Sequence, residues 1–303
     1  MFSTMPETIE YAMIPARNGQ TGTVCLSGNG VVSLRWPRHG GSIRHGEPAP
    51  LPRTVRTFDD TAFMLAMSDP PATLAFLERA LDLRTATLLE SLLRTTLAEG
   101  LGKSIEPSAH ILPLLTEPTT LLATQNGILL AGGPAPRAAI DRLHDVLRDS
   151  FRQARVTERT LDGRFTSRDI RSGGPRPAEE RDGQASPWRT RSTVNPDTER
   201  GLYSATRDGG TYVIATDRAL LAKYLEGDLP RSIVFPTNED APGSAVTAGG
   251  FAALPRIFVL AQASAFAPLL RAAPLLPIAH SGAIVWSLQE SGEETQLVIA
   301  PHP

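Results

Sequence analysis

The 303-residue sequence predicts an α+β fold of mostly antiparallel sheet backed by helices, in which a strand-helix-hairpin-helix unit is duplicated. Short apolar runs flank tight turns of Asn, Asp and Gly, which is the pattern of β-hairpins. Leucine-rich segments with helical spacing follow several of these runs. The order of strand, helix, hairpin and helix then occurs a second time, which indicates an internal repeat.

Residues 1–57 are predicted to form an N-terminal β-hairpin and a linker. Strand candidates at 23–26 and 31–36 are joined by a Ser-Gly-Asn-Gly turn, in which Gly and Asn can adopt positive φ. Residues 37–52 are rich in Pro, Gly, Arg and His and have no apolar periodicity, which is typical of a linker. We therefore place a domain boundary near residue 57.

The first α+β unit is predicted at 58–170. It begins with a strand at 61–67, after which Asp69 can cap a helix that has proline in its first turn. Leucines at helical spacing extend this helical region to about residue 99, and an apolar run at 111–115 follows. The unit continues into a hairpin and a helix.

That hairpin spans residues 120–131 and turns at Asn126-Gly127, the strongest short hairpin signal in the chain. Residues 137–151 then place Ile, Leu, Leu and Phe at helical spacing among Arg and Asp residues, which predicts an amphipathic helix. Residues 171–200 are dominated by Gly, Pro, Ser and charged residues, and we expect a flexible loop there.

The second α+β unit is predicted at 201–303. It begins with a hairpin, continues with a helix that Asp217 caps, and ends with another hairpin. The predicted elements are strands at 201–206, 211–215, 257–260, 283–289 and 295–300, and helices at 217–225 and 264–271. Residues 236–250 carry Pro and Gly residues that predict a second mobile connection.

The composition limits the classes of partner. Thirty basic and 32 acidic residues give a net charge of -2, so neither nucleic acid nor an anionic membrane surface is an expected partner. No segment approaches the roughly 18 apolar residues of a membrane span, and no signal segment is evident, so we expect a soluble chain without direct membrane insertion. The preference for Arg over Lys is typical of a GC-rich bacterium. Cys25 is the single cysteine, which excludes an intramolecular disulfide.

No motif in the sequence identifies a catalytic, cofactor-binding or metal-binding residue. The chain has no Gly-x-Ser-x-Gly nucleophile elbow, no P-loop and no dinucleotide-binding glycine pattern, so no cofactor is expected. His39 and His45 lie six residues apart, but no Asp, Glu or Cys at ligand spacing completes a metal shell. We interpret both as solvated loop histidines. His144 is expected among helix-surface residues, and we interpret it as structural or solvated rather than catalytic.

Two segments carry a resemblance to a known family. They are Ala62–Pro70, in which a strand leads into Asp-Pro and a helix, and Tyr212–Asp217, in which a strand leads into a leucine-rich helix. Over residues 58–300 the chain resembles a family of uncharacterised bacterial exported proteins with repeated strand-helix-hairpin units. The resemblance implies an envelope-associated, non-enzymatic protein, periplasmic if a signal was removed; without the resemblance the chain would be cytoplasmic.

Three functions remain open at this point. The first is a non-catalytic binding or assembly protein in a bacterial envelope-associated complex, with a protein partner. The second is a hydrolase-type or metal-dependent enzyme whose site is assembled from distant residues, with His39, His45 and His110 as candidates. The third is a carrier of an apolar ligand, which the many Leu, Ile and Val residues suggest. The oligomeric state does not follow from the sequence.

Overall fold

A computed structural model describes residues 9–15, 21–26, 31–37, 50–80, 104–134, 136–151, 153–161, 188–196, 201–207, 210–237, 245–262, 282–290 and 294–302. Its strands are β1 (Ile9–Pro15), β2 (Thr21–Leu26), β3 (Val32–Pro37), β4 (Thr54–Thr57), β5 (Thr61–Met67), β6 (Thr119–Thr124), β7 (Ile128–Gly132), β8 (Arg155–Leu161), β9 (Trp188–Val194), β10 (Gly201–Arg207), β11 (Tyr212–Ala215), β12 (Arg231–Val234), β13 (Ala245–Ala253), β14 (Ala283–Glu290) and β15 (Glu294–His302). Its helices are α1 (Pro70–Ala80), α2 (Arg137–Ser150), α3 (Arg218–Glu226) and α4 (Leu254–Gln262). The fold is therefore α+β with mostly antiparallel sheet, as the sequence predicts.

The chain forms two compact units. Unit 1 comprises residues 1–56, 62–88 and 232–303, and unit 2 comprises residues 57–61 and 89–231. Unit 1 gathers strands from separate parts of the chain, whereas β6 to β11 of unit 2 lie in one continuous segment. The domain boundaries predicted near residues 57, 170 and 200, which divide the chain sequentially, stay predictions.

The strands of unit 1 follow the order β1-β2-β3-β15-β14-β13-β5. The predicted hairpins are present as the β2–β3 pair and the β14–β15 pair, both antiparallel. β13 pairs with β14 on one side and with β5 on the other, and it is buried from Val246 to Ala253. A short two-stranded sheet joins β4 to β12.

The prediction of a mobile connection at 236–250 is wrong for residues 245–250, which lie in β13; residues 238–244 lie outside the described residues. Two glycines caused the error, because glycine weakens an isolated strand. Here they make room for aromatic rings: a Cβ at Gly249 would lie 2.7 Å from the Phe235 ring, and a Cβ at Gly250 would overlap the Trp286 indole. The close packing of these rings against β13 therefore requires glycine at both positions. The same two glycines make the strand hard to predict from the sequence.

The strand predicted at 257–260 is also wrong, because these residues lie within α4. A short apolar run fits a buried strand and a buried helix equally well. Pro255 lies at the beginning of α4, where a missing amide hydrogen costs nothing, and this was the available helical signal. The helix predicted at 264–271 falls outside the described residues.

The strands of unit 2 follow the order β6-β7-β11-β10-β9-β8. The β6–β7 hairpin turns at Asn126-Gly127 as predicted, and the Thr124 amide donates to the Gly127 carbonyl at 2.9 Å. β10 and β11 form the second predicted hairpin. α2 packs on β9 and β10, and α3 packs on β10 and β11, so the apolar faces of both helices cover this sheet.

The two predicted helix caps are confirmed. The Asp69 carboxylate accepts a hydrogen bond from the Ala72 amide at 2.9 Å, and the Asp217 carboxylate accepts one from the Leu220 amide at 2.8 Å. Gly227 ends α3 with a φ of 74°, in the left-handed region that glycine adopts without strain. The predicted continuation of the first helix to residue 99 lies outside the described residues.

Two further segments of unit 2 have structure that the sequence did not assign. The apolar run at 111–115 lies in a turn of π-helix (Pro107–Ile111) and a turn of 3-10 helix (Leu112–Leu114), where prolines favour turns. At the end of the predicted loop 171–200, residues 188–194 form β9. Its Thr and Arg residues gave no apolar pattern, but neighbouring strands pair with it on both sides. The loop's residues 171–187 and 197–200 lie outside the described residues.

Candidate functional site

The site is built on the inner face of α2. Ile140, Leu143, His144 and Leu147 are the buried residues of this helix. Their spacing places them along one side, as expected for an amphipathic helix that packs on a sheet. The placement of His144 among helix-surface residues is therefore wrong, because His144 shares this side with Ile140 and Leu147 and is 0% exposed.

His144 is held between two strands. Its Nδ1 lies 2.9 Å from Thr193 Oγ1 on β9, and its Nε2 lies 2.8 Å from Ser204 Oγ on β10. Burial lowers the pKa of His144 from 6.5 to about 3; the positive charge of Arg191 also lowers it, and Asp145 opposes the shift. The imidazole is therefore neutral at physiological pH, with both ring nitrogens engaged.

A row of polar residues crosses the sheet beside His144. The antiparallel register places Glu158 of β8 opposite Arg191 of β9, and Arg191 opposite Ser204 of β10. Directly opposed residues project from the same face of a sheet. Because Ser204 contacts His144, this is the face that α2 covers, and it brings Glu158 and Arg191 beneath the helix.

Arg191 contacts three carboxylates, two on α2 and one on β8 within the row itself. Its Nη1 lies 3.0 Å from Asp141, its Nη2 lies 3.3 Å from Asp145, and its Nε lies 3.2 Å from Glu158. The Nε contact is an ion pair without hydrogen-bond alignment. The Arg191 side chain is only 20% exposed, so its charge is screened less than that of a surface arginine. Arg148 adds a further ion pair to Asp145 at 3.3 Å.

A cleft of about 390 Å³ opens between α2 and the strands β8, β9 and β10. Its charged and polar lining residues are Arg137, Asp141, Glu158, Arg189, Thr190, Arg191, Ser204 and Thr206. Three arginines and two carboxylates thus share the cleft with hydroxyl groups. Such a lining suits a ligand that carries both charges and hydrogen-bonding groups, and it does not suit a purely apolar ligand.

Tyr212 has a structural role in the same unit. It is completely buried in the cluster that contains Leu143 and Leu147, and its hydroxyl donates to the Leu114 carbonyl at 2.7 Å. Burial raises the pKa of Tyr212, while a hydrogen bond with Thr119 opposes this shift. The phenol therefore stays protonated and anchors the turn that ends near Leu114.

The histidines considered from the sequence do not form a common site. His39 and His45 lie outside the described residues. The Nδ1 of His110 accepts a hydrogen bond from the Glu106 amide at 2.9 Å, which stabilises the beginning of its own turn. Within the part of the chain that the structure describes, no group of three or more His, Cys, Asp or Glu residues could hold a metal ion. Cys25 is buried.

Sequence reasoning missed the residues that line the cleft. Asp141 and Asp145 lie four residues apart on α2, a spacing that places them on one helix side, and this was the available local signal. Their partner Arg191 is about 50 residues away in the sequence, and only the strand register brings the two elements together.

Comparison with known proteins adds no relative. No family model, no curated protein and no solved structure matches this chain. Among the helices in the described ranges, none has both the length and the apolar character needed to cross a membrane.

Proposed function

We propose that this protein is a non-catalytic binding or assembly protein and that the cleft of unit 2 receives a segment of a protein partner. The observation that carries the proposal is the Arg191 cluster, in which one guanidinium holds Asp141, Asp145 and Glu158 at 3.0 to 3.3 Å. This cluster fixes charged groups along an open cleft before any ligand arrives. Groups fixed in advance lose less conformational entropy when a ligand binds.

The state of His144 supports binding rather than catalysis. A general base needs a pKa near the working pH and access to the proton that it removes. His144 has a pKa of about 3, is completely buried, and uses both nitrogens on Thr193 and Ser204. Its geometry is that of a polar contact that holds α2 on the sheet.

The charges of the lining support a protein partner. Both signs of charge are present within one cleft, since Arg137 and Arg189 are basic and Asp141 and Glu158 are acidic. A polypeptide supplies backbone amides and carbonyls together with side chains of either charge, so it can match such a surface. An apolar carrier site would need a largely apolar lining instead.

Two further proposals follow from the sequence. The order β6, β7, α2 and the order β10, β11, α3 support a duplicated hairpin-helix unit. A backbone superposition that fails to overlay both hairpin and helix would contradict it.

The resemblance to bacterial exported proteins supports an envelope-associated location. Fractionation of native cells followed by immunodetection tests this location, and a purely cytoplasmic distribution would contradict it.

Co-purification tests the binding function. The full chain is isolated from its native host under mild conditions, and bound proteins and small molecules are identified by mass spectrometry. Arg189→Glu reverses a charge in the cleft, and Arg142→Glu makes the same change at an exposed position of α2 that does not line the cleft. We expect a stoichiometric protein that Arg189→Glu loses and Arg142→Glu retains. Equal recovery with both variants, or a bound metabolite without a protein, would contradict the proposal.

A further inference from the structure

We propose that the partner binds by adding an extended segment of its own chain to the outer edge of β8, next to the cleft. This inference depends on the proposed binding function and specifies the form of the ligand. β8 is the last strand in the order of unit 2, and β9 is its neighbour on the inner side. No strand within the described ranges pairs with its other side.

The edge of β8 is regular and accessible. Its pairing with β9 runs without a register shift from Arg155 opposite Val194 to Leu161 opposite Trp188. The strand contains no proline, and Arg155, Val156 and Glu158 are exposed. An edge of this kind presents backbone amides and carbonyls that another strand can pair with.

The edge strand β1 of unit 1 shows the opposite features. Its register shifts between Ala12 and Ile14, and it ends at Pro15. An irregular register and a terminal proline are two common means by which proteins prevent strand addition. β8 has neither of them, so its edge is the more suitable of the two for an added strand.

The position of Glu158 connects this edge with the cleft. Glu158 lies on the face that α2 covers and lines the cleft together with Arg191. A residue placed opposite Glu158 on an added strand would project from the same face. Every second side chain of the added segment would therefore lie along the mouth of the cleft, while the backbone supplies the pairing.

A second copy of this chain does not fit the edge well. Two β8 strands related by a twofold axis run antiparallel, and residues of the same face must oppose each other. Arg155 and Glu158 lie on opposite faces, so they cannot pair across such an axis. A pairing centred on Glu158 would oppose two carboxylates, and one centred on Thr157 would place the two arginine positions 155 and 159 opposite each other.

The occupant that fits is an extended segment of a different protein. A basic residue opposite Glu158 and an acidic residue opposite Arg155 would be complementary in charge, as favourable cross-strand pairs are. In such a segment these two residues lie three positions apart and project from opposite faces. The partner is therefore a β-strand-forming peptide segment with one basic and one acidic residue at this spacing.

The test uses phage-displayed random dodecapeptides selected on the full-length protein. A fluorescein-labelled synthetic copy of an enriched peptide is then titrated by fluorescence anisotropy. We expect enriched sequences to carry a basic and an acidic residue three positions apart. Glu158→Lys should reverse the preference opposite this position from basic to acidic. Enrichment of apolar or unpatterned peptides, or no enrichment, would overturn strand addition.

Two proline variants test the backbone pairing. Neighbouring residues of an edge strand direct their amides alternately inward and outward, so Val156→Pro and Thr157→Pro remove one amide of each kind. The variant that loses the outward amide should fold normally, as circular dichroism can show, and bind the peptide roughly tenfold more weakly. Hydrogen exchange should show protection of alternate β8 amides in the complex. Unchanged affinity in the folded variant, or protection that does not include β8, would overturn the proposal.

These results separate the two proposals. If the native partner is lost with Arg189→Glu while the folded proline variant retains it, cleft binding holds and strand addition is wrong. If neither variant affects the partner, both are wrong. Light scattering of the purified protein addresses the second copy: a dimer that the outward proline variant dissociates would replace the peptide as the occupant and overturn the inference.

Discussion

Protonation of His144 should destabilise unit 2 as the pH falls. The folded protein holds the pKa of His144 at about 3, whereas an unfolded chain has the ordinary value of 6.5. The unfolded state therefore binds the proton first, and stability is complete above pH 6.5 and decreases below it. Each pH unit in this range costs about 1.4 kcal/mol, so a decrease from pH 6.5 to pH 5 should cost roughly 2 kcal/mol.

Hydrogen exchange of peptides from α2 and β9 at pH 7 and pH 5 measures this local effect. His144→Gln provides the comparison, because glutamine is neutral at both pH values and can bond to Thr193 and Ser204. The variant will itself be less stable, so the informative quantity is the change in unfolding free energy between the two pH values. We expect a change about 2 kcal/mol larger in the wild type. Equal changes in both proteins would refute the assigned protonation state of His144.

Three other predictions concern stability. Arg191→Ala leaves Asp141, Asp145 and Glu158 without their common partner. It should lower the unfolding free energy of unit 2 by about 2 kcal/mol, between the values for exposed and buried ion pairs. Urea unfolding at low and high salt tests this, and a loss that high salt leaves unchanged would argue against an electrostatic role. Asp217→Ala should cost about 1 kcal/mol and Asp217→Asn much less, because asparagine still caps α3; thermal unfolding that ranks the two variants equally would contradict the cap. Gly250→Ala should destabilise unit 1 by about 1 to 3 kcal/mol, because the added methyl group overlaps the Trp286 indole. The destabilisation should be smaller in the Trp286→Ala background. An additive double-mutant cycle would show that the indole is not the cause.

The elements that sequence could predict are those with local causes. The Asn126-Gly127 turn, the Asp69 cap and the apolar face of α2 each depend on residues within a few positions of one another, and each is present. Strands whose stability comes from their neighbours could not be predicted in this way. β9 is the clearest example, because its Thr and Arg residues give no apolar pattern and two flanking strands stabilise it.

The site was less predictable than the fold for the same physical reason. Arg191, Asp141 and Glu158 are 17 to 50 positions apart in the sequence. They meet because the strand register places Glu158 beside Arg191 while α2 packs above. His144 had a local signal, its position four residues after Ile140 on a helix. That signal indicates burial, and it leaves open whether a buried histidine is reactive. The hydroxyl groups of Thr193 and Ser204, on two different strands, occupy both ring nitrogens of His144, and this supports a structural rather than a reactive histidine.

The Arg191 cluster also determines how a partner would recognise this edge. The Arg191 side chain is only 20% exposed, whereas the side chains of Asp141 and Glu158 are 62% and 67% exposed. Each of these carboxylates therefore has one side held by Arg191 and another side open to solvent. A basic group of a partner would meet carboxylates that are already in place, so binding would not bear the full entropic cost of ordering them. The same arginine weakens the net attraction of the site for a cation, which leaves backbone pairing along β8 as the main source of affinity and the charges as the source of selectivity.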